Sequence, residues 1–334
     1  MSPHAIVGVS TSSRSGWRPS GGKMRVLVTG CSGYLGARLL AQLQRDPEVT
    51  EIIGIDERLP AEYHPKLTHH QQSVTQPYER YFHEVDAAVH LAFAFQPMRD
   101  SRWCERVNLE GSERFLRALI EHDVPHGVFV SSATVYGARP DNPIPLTETH
   151  PLRSDPYFYL PRDKTRSEAL CNSFQKRTVA LKILRPCIVT GPHADHFWMN
   201  YLTRSSVPTV VGCDPLMQFL HEDDMAAVLH AMCSRGQAGV YNVAGDGTLY
   251  LSDIIERLGG RAVSVPKWAL QKTVKTMWKY NLGHLRDLPP GMVPYISHPW
   301  VVDSSKVKQE LNLEFQYDSC QALSAFQVAS GIKV

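Results

Sequence analysis

Arg25-Val26-Leu27-Val28-Thr29-Gly30-Cys31-Ser32-Gly33-Tyr34-Leu35-Gly36 is the stretch that decides the fold. Arg25–Thr29 is short, apolar and β-branched, which predicts a buried strand. Leu35, Leu39, Leu40 and Leu43 then recur at helical spacing up to Arg45, and Asp46-Pro47 stops the helix. Between strand and helix sit three glycines. Gly30 allows the tight turn, Gly33 lets the backbone approach a pyrophosphate, and Gly36 lets helix and strand pack closely. The start of the helix, at Tyr34 and Leu35, offers free N–H groups and partial positive charge to phosphates.

The same rhythm continues outward. Thr50–Asp56, Ala87–Leu91, Gly127–Ser132 and Val179–Leu184 read as strands, and helices are predicted over 107–120 and Arg162–Gln175. Strands that are apolar almost throughout, alternating with amphipathic helices, predict a parallel sheet covered on both faces. The fold class is therefore α/β: a doubly wound, Rossmann-type sheet with a smaller C-terminal substrate lobe. After Arg185 the rhythm breaks, and prolines, aromatics and histidines become frequent up to Leu220. Residues 24–185 are read as the dinucleotide-binding domain. Residues 186–334 are read mainly as the substrate lobe, with some segments returning to the main sheet. Residues 1–23 are rich in Ser, Gly and Arg without an acid and read as a disordered leader, with a transit segment as the alternative. Met24 is a candidate alternative start.

Asp56 ends the second predicted strand, twenty residues after Gly36. A carboxylate there accepts from the adenosine ribose hydroxyls and repels a 2′-phosphate, so NAD is favoured over NADP. Arg58 stands close enough to weaken that preference, although it also reads as a solvated loop cation. Composition adds bounds. The 334 residues carry a formal net charge of only +2, which gives no expectation of nucleic-acid binding. No apolar run approaches the roughly 20 residues of a membrane span. The seven cysteines are scattered without a Cys-x-x-Cys pair, so they read as reduced thiols of a cytoplasmic protein.

Further segments carry a family resemblance. Val89-His90-Leu91-Ala92, Val107-Asn108-Leu109-Glu110-Gly111, Ser131-Ser132-Ala133-Thr134-Val135-Tyr136-Gly137, Leu184-Arg185-Pro186 and Phe219-Leu220-His221-Glu222-Asp223-Asp224 follow one another as in the extended short-chain dehydrogenase/reductases. Tyr241-Asn242-Val243 and the helix from Asp303 to Leu313 extend the match. The serine segment resembles that of UDP-glucose 4-epimerases. The resemblance implies an NAD(P)-dependent oxidoreductase or epimerase that moves hydride to or from a C–OH/C=O carbon of a small organic substrate. It implies Ser132 as the catalytic hydroxyl, Thr134 as a second one, Asn108 as the active-site asparagine and Lys164 as the lysine that holds the nicotinamide ribose. Ser73 and Val74 fall where the family holds adenine, without its acid, and Leu91 and Ala92 line the cofactor.

The family expects a tyrosine four residues before that lysine, where this chain has Leu160. Pro161 suits a first helical position, which leaves Tyr159 in the preceding loop. Tyr159 is the leading candidate for proton transfer, Tyr157 the next, and a site without a working tyrosine the third. The last would make the protein an atypical member with slow or different chemistry; the rival reading is a catalytically impaired dinucleotide-binding regulator or scaffold. The arginine that grips a sugar-nucleotide diphosphate is replaced by Met217, and Phe93, Phe95, Val189 and Met217 suggest an apolar substrate lining, with Phe197 and Trp198 beside them. His193 and His196 lack a carboxylate at helical spacing, so no metal is expected. Lys267–Arg286 is basic and aromatic and reads as a lid or lobe helix, with a membrane-surface helix as the rival. A homodimer is expected through helices near 104–121 and 162–175.

Overall fold

A computed structural model describes residues 23–96, 100–174, 178–283, 285 and 288–332. The expected leader therefore lies outside the described residues, except Lys23. Seven parallel strands form the central sheet. Six follow the chain: β1 (Met24–Thr29), β2 (Val49–Asp56), β3 (Leu67–Gln71), β4 (Ala87–His90), β5 (His126–Val130) and β6 (Ala180–Pro186). Their spatial order is β3-β2-β1-β4-β5-β6, and Gly239–Val243 returns from the C-terminal part to pair with β6. All seven run in one direction.

The apolar composition of the strands explains their place. Val26, Leu27 and Val28 of β1 are fully buried, each worth roughly 1.5–3 kcal/mol relative to exposure. Leu39, Leu40 and Leu43 of the first helix, Tyr34–Arg45, lie on the sheet as their spacing requires. That helix stops at Asp46, whose N–H still bonds back to the Gln42 and Leu43 carbonyls before Pro47 ends the run. β3 is the exception. Its sequence Leu67-Thr68-His69-His70-Gln71 is polar and only partly buried, because it is the edge of the sheet. No alternation marks it in the sequence.

Chain order reverses between β1 and β4, so the loops at their carboxyl ends part and leave a crevice. Gly30 shows how tightly that crevice is built. Its φ is +73°, and a Cβ there would lie 2.6 Å from the Ala92 nitrogen. Three small strand pairs lie in the C-terminal part: Ile188–Thr190 with Phe219–His221, Leu216–Met217 with Leu249–Tyr250, and Ser206–Val210 with Arg261–Val265; of these, Ile188 and Val189 line the crevice. The basic segment forms helix Lys267–Tyr280, which buries only Leu270 and Val274. Asp303 to Leu313 does not carry the last helix, since Ser319–Ala329 follows, opened by an Asp318–Gln321 capping box.

Candidate active site

The glycine turn forms one end of a cleft of about 500 Å3, a size typical of small-molecule sites. A Cβ on Gly36 would stand 2.2 Å from the Gly30 carbonyl oxygen, so turn and helix touch backbone to backbone. Gly33 is different. Its φ of −78° suits any residue, and a Cβ would meet only Gly30 O at 3.2 Å and Arg58 Nη2 at 3.6 Å. The protein itself makes little use of the room above Gly33, and a backbone cradle open toward a helix N-terminus fits a pyrophosphate. That helix carries neither a side-chain cap nor an acid in its first turn.

Asp56 is held at the end of β2 with its carboxylate accepting from Ser32 N–H at 3.0 Å and Arg58 N–H at 2.9 Å. The Arg58 guanidinium stands 3.8 Å from it and is largely exposed. Gly30, Gly33, Tyr34, Leu35, Gly36, Asp56, Ser73, Val74, Leu91, Ala92 and Lys164 all line the cleft. The Tyr34 hydroxyl donates to the buried Glu222 at 2.7 Å, which ties the C-terminal lobe to the first helix.

Ser132, Thr134 and Lys164 line the cleft beyond the glycine turn. Ser132 leaves β5 and caps a short turn, Ala133–Tyr136. Its Oγ accepts from Thr134 N–H at 3.2 Å and from the Thr134 hydroxyl at 2.9 Å. Lys164 reaches in from helix Tyr159–Ser173. Its Nζ donates to Val130 O at 2.6 Å and lies 3.5 Å from the centroid of the Phe93 ring. Burial pushes the Lys164 ammonium down to about 7, against the opposing pull of Glu168, Cys171 and Asp163. The Phe93 face and the Val130 carbonyl also favour the charged form.

Four sequence expectations, at Tyr159, Tyr157, Met217 and Asn108, need correction. Helix Tyr159–Ser173 begins at Tyr159 itself, not at Pro161, so Tyr159 is turned into the protein rather than left in a loop. Its hydroxyl donates to Phe95 O at 2.6 Å, and Tyr159 is absent from the cleft lining. Burial, with the charges of Cys104 and Asp163, raises its pKa, the opposite of what proton transfer needs. Tyr157 is exposed and also outside the cleft, and Leu160 is fully buried. Met217 is buried in its strand pair with Leu249 and does not line this cleft. Asn108 lies behind the cleft in a π-turn over Arg106–Glu110, where it accepts from Ala94 N–H at 2.7 Å and donates to Asp163 at 3.1 Å. The first of these bonds ties it to the loop that carries Phe93 and Phe95.

A buried network fixes the serine segment from behind. Arg185 Nη2 pairs with Glu168 at 2.6 Å, and Arg185 Nη1 donates to the Tyr136 hydroxyl at 2.7 Å. Tyr136 in turn donates to Asn242 at 2.7 Å, and Ser131 Oγ donates to Glu168.

Comparison with known proteins agrees with this geometry. The NAD dependent epimerase/dehydratase family matches residues 26–244. The chain belongs to the NAD dependent epimerase/dehydratase family. An uncharacterized protein of Mycobacterium tuberculosis is 28% identical over 322 residues, covering 92% of this chain and 84% of its own length. The Bordetella bronchiseptica enzyme WbmG, solved with NAD and UDP, has a TM-score of 0.70 at 22% identity, over 94% of this chain and 96% of that one. A UDP-glucose 4-epimerase of Thermotoga maritima, solved with UDP-glucose, has a TM-score of 0.71 at 17% identity, over 92% and 99%.

For this epimerase/dehydratase family member, sequence reasoning missed Trp103, Trp300 and the carboxylate Asp195, all of which line the cleft. Glu222, inside the Phe219–Asp224 segment, and Glu168 take their roles from tertiary contacts, with Tyr34 and with Arg185. Trp300 and Asp195 reach the cleft only when the C-terminal part folds over the sheet, and Trp103 reaches it from the short helix Ser101–Glu105.

Proposed function

We propose that the chain binds NAD in this cleft and works as an oxidoreductase or epimerase on a C–OH/C=O carbon of a small organic molecule. When bound, the nicotinamide supplies the hydride acceptor or donor. The chain's own residues do the rest. Gly30, Gly33 and the helix N-terminus hold the pyrophosphate. Asp56 takes the adenosine ribose hydroxyls, Ser73 and Val74 flank the adenine, and Leu91 and Ala92 run along the cofactor. Lys164 holds the nicotinamide ribose, while Ser132 and Thr134 orient the substrate oxygen. The observation that carries this reading is that one cleft joins the glycine turn to Ser132, Thr134 and Lys164.

Calorimetric titration tests it. NAD should bind more tightly than NADP, and Asp56→Ala should narrow the gap. Equal or tighter NADP binding by the unmodified protein would sink the NAD preference.

A second reading is favoured by the Tyr159 hydroxyl, which is committed to Phe95 O. On that reading the protein is a dinucleotide-binding regulator without turnover. A panel of ketones and alcohols assayed by cofactor absorbance separates the two. We also propose a homodimer through helices Gly111–Glu121 and Tyr159–Ser173, in the cytoplasm. The seven free cysteines support the reducing compartment. A monomer mass by light scattering at micromolar concentration would end the dimer.

A further inference from the structure

The cleft that holds Ser132 and Lys164 is rich in rings. Phe93, Phe95, Trp103, Trp198 and Trp300 line it, together with Val189. Trp198 and Trp300 stand 5.6 Å apart by ring centroid and are almost fully buried. The one polar atom of Trp300, Nε1, already donates to Tyr295 O at 3.2 Å. Phe197 and Tyr295 back the wall at 5.3 Å from Trp198 and 5.7 Å from Trp300. Such a surface rewards a flat apolar body.

The charges point the same way. Among the described residues, the only lysine and arginine that line the cleft are Lys164 and Arg58, and Arg58 stands beside Asp56 at the glycine turn. His196 also lines the cleft, edge-on to Phe95 at 5.7 Å; burial lowers its pKa, against the opposing pull of the Val189 carbonyl 2.8 Å from its Nε2. Asp195 adds a carboxylate to the cleft lining. Arg185, close in sequence to the lining residues 186–189, is held by Glu168. Among the described lining residues, a nucleotide diphosphate would find no arginine beyond Arg58 to meet its negative charge, and it would share the cleft with Asp195.

We infer that the substrate is an uncharged alcohol or ketone with an apolar, ring-bearing body, and not a nucleotide-diphosphate sugar. The inference rests on the reading that the glycine-turn end of the cleft holds NAD. In the oxidative direction the carbinol C–H leaves as hydride to the oxidised nicotinamide. The O–H proton leaves to solvent, and the products are the ketone and NADH.

The test titrates four probes into the NAD-loaded protein by calorimetry: 1-tetralone, 1-tetralol, UDP and UDP-glucose. The tetralin pair should bind at least 10-fold more tightly than either uridine nucleotide. Trp300→Leu should weaken tetralone binding at least 5-fold. Phe95→Leu is the second variant, since Phe95 is only partly buried and its loss leaves the carbonyl that Tyr159 uses. Tighter binding of UDP or UDP-glucose overturns the inference while the NAD reading stands. Failure of all four probes to bind overturns it too. If NAD itself does not bind, the earlier reading fails. The same four titrations on the cofactor-free protein then decide the substrate class by the same criterion.

Discussion

The Tyr159 hydroxyl donates to the Phe95 carbonyl oxygen at 2.6 Å, and this one bond removes the nearest tyrosine from the cleft. Tyr159→Phe deletes only the donor. It should leave cofactor affinity unchanged and turnover within about 3-fold of the unmodified enzyme, because a lost general acid–base group typically costs about 10²–10⁴-fold. It should cost about 1 kcal/mol of stability, the usual net worth of such a bond. Steady-state kinetics with any substrate that turns over, together with a urea midpoint, reads both. A 100-fold loss of kcat would restore Tyr159 as the proton donor.

Gly33→Val separates binding from folding. The backbone at Gly33 is extended enough for any residue, and a Cβ meets nothing closer than Gly30 O at 3.2 Å. The far-UV CD spectrum should stay nearly unchanged while NAD binding disappears from calorimetry. Retained binding would place the phosphates elsewhere.

The doubly wound sheet was legible because its strands are apolar on both faces and its first turn has glycines at fixed offsets. Asp56 was legible by distance from Gly36. What escaped reading has physical reasons. β3 is a polar edge strand, so Leu67–Gln71 shows no pattern. Tyr159 was misplaced because Pro161 fits anywhere in the first turn of a helix, and a shift of two residues turns a loop side chain inward. Trp300 joins the cleft only through tertiary packing against Trp198 and Tyr295. Met217 shows the converse: a position inferred from resemblance lost its contact with the cleft when its strand paired with Leu249.

Glu168→Gln should be strongly destabilising. Glu168 and Arg185 are both buried, and the guanidinium has no water to turn to. Breaking a buried pair from one side costs roughly 3–5 kcal/mol. The double variant Glu168→Leu with Arg185→Met should recover much of that loss, because no charge is then left alone. Thermal unfolding of the three proteins measures it. A single variant as stable as the double would show that the pair is not insulated.

Lys164 should make stability and cofactor affinity run in opposite directions with pH. Burial holds its folded pKa at about 7, while an unfolded lysine keeps its ordinary value of 10.5. Between those values the unfolded chain binds one more proton than the folded one. Stability from this group therefore rises with pH across that window, and below about 7 the full penalty of the buried ammonium is present. Each pH unit of difference is worth about 1.4 kcal/mol. Unfolding midpoints in urea at pH 7 and pH 9.5 should show the unmodified protein gaining at least about 1 kcal/mol relative to Lys164→Met. Cofactor affinity should fall over the same interval, since the ammonium proposed to hold the ribose is lost as pH rises through about 7. Lys164→Met should bind NAD weakly at every pH. If the stability gap between the two proteins does not change with pH, the lysine is not desolvated in the folded state. If the affinity of the unmodified protein is also flat, Lys164 does not hold the ribose through its charge.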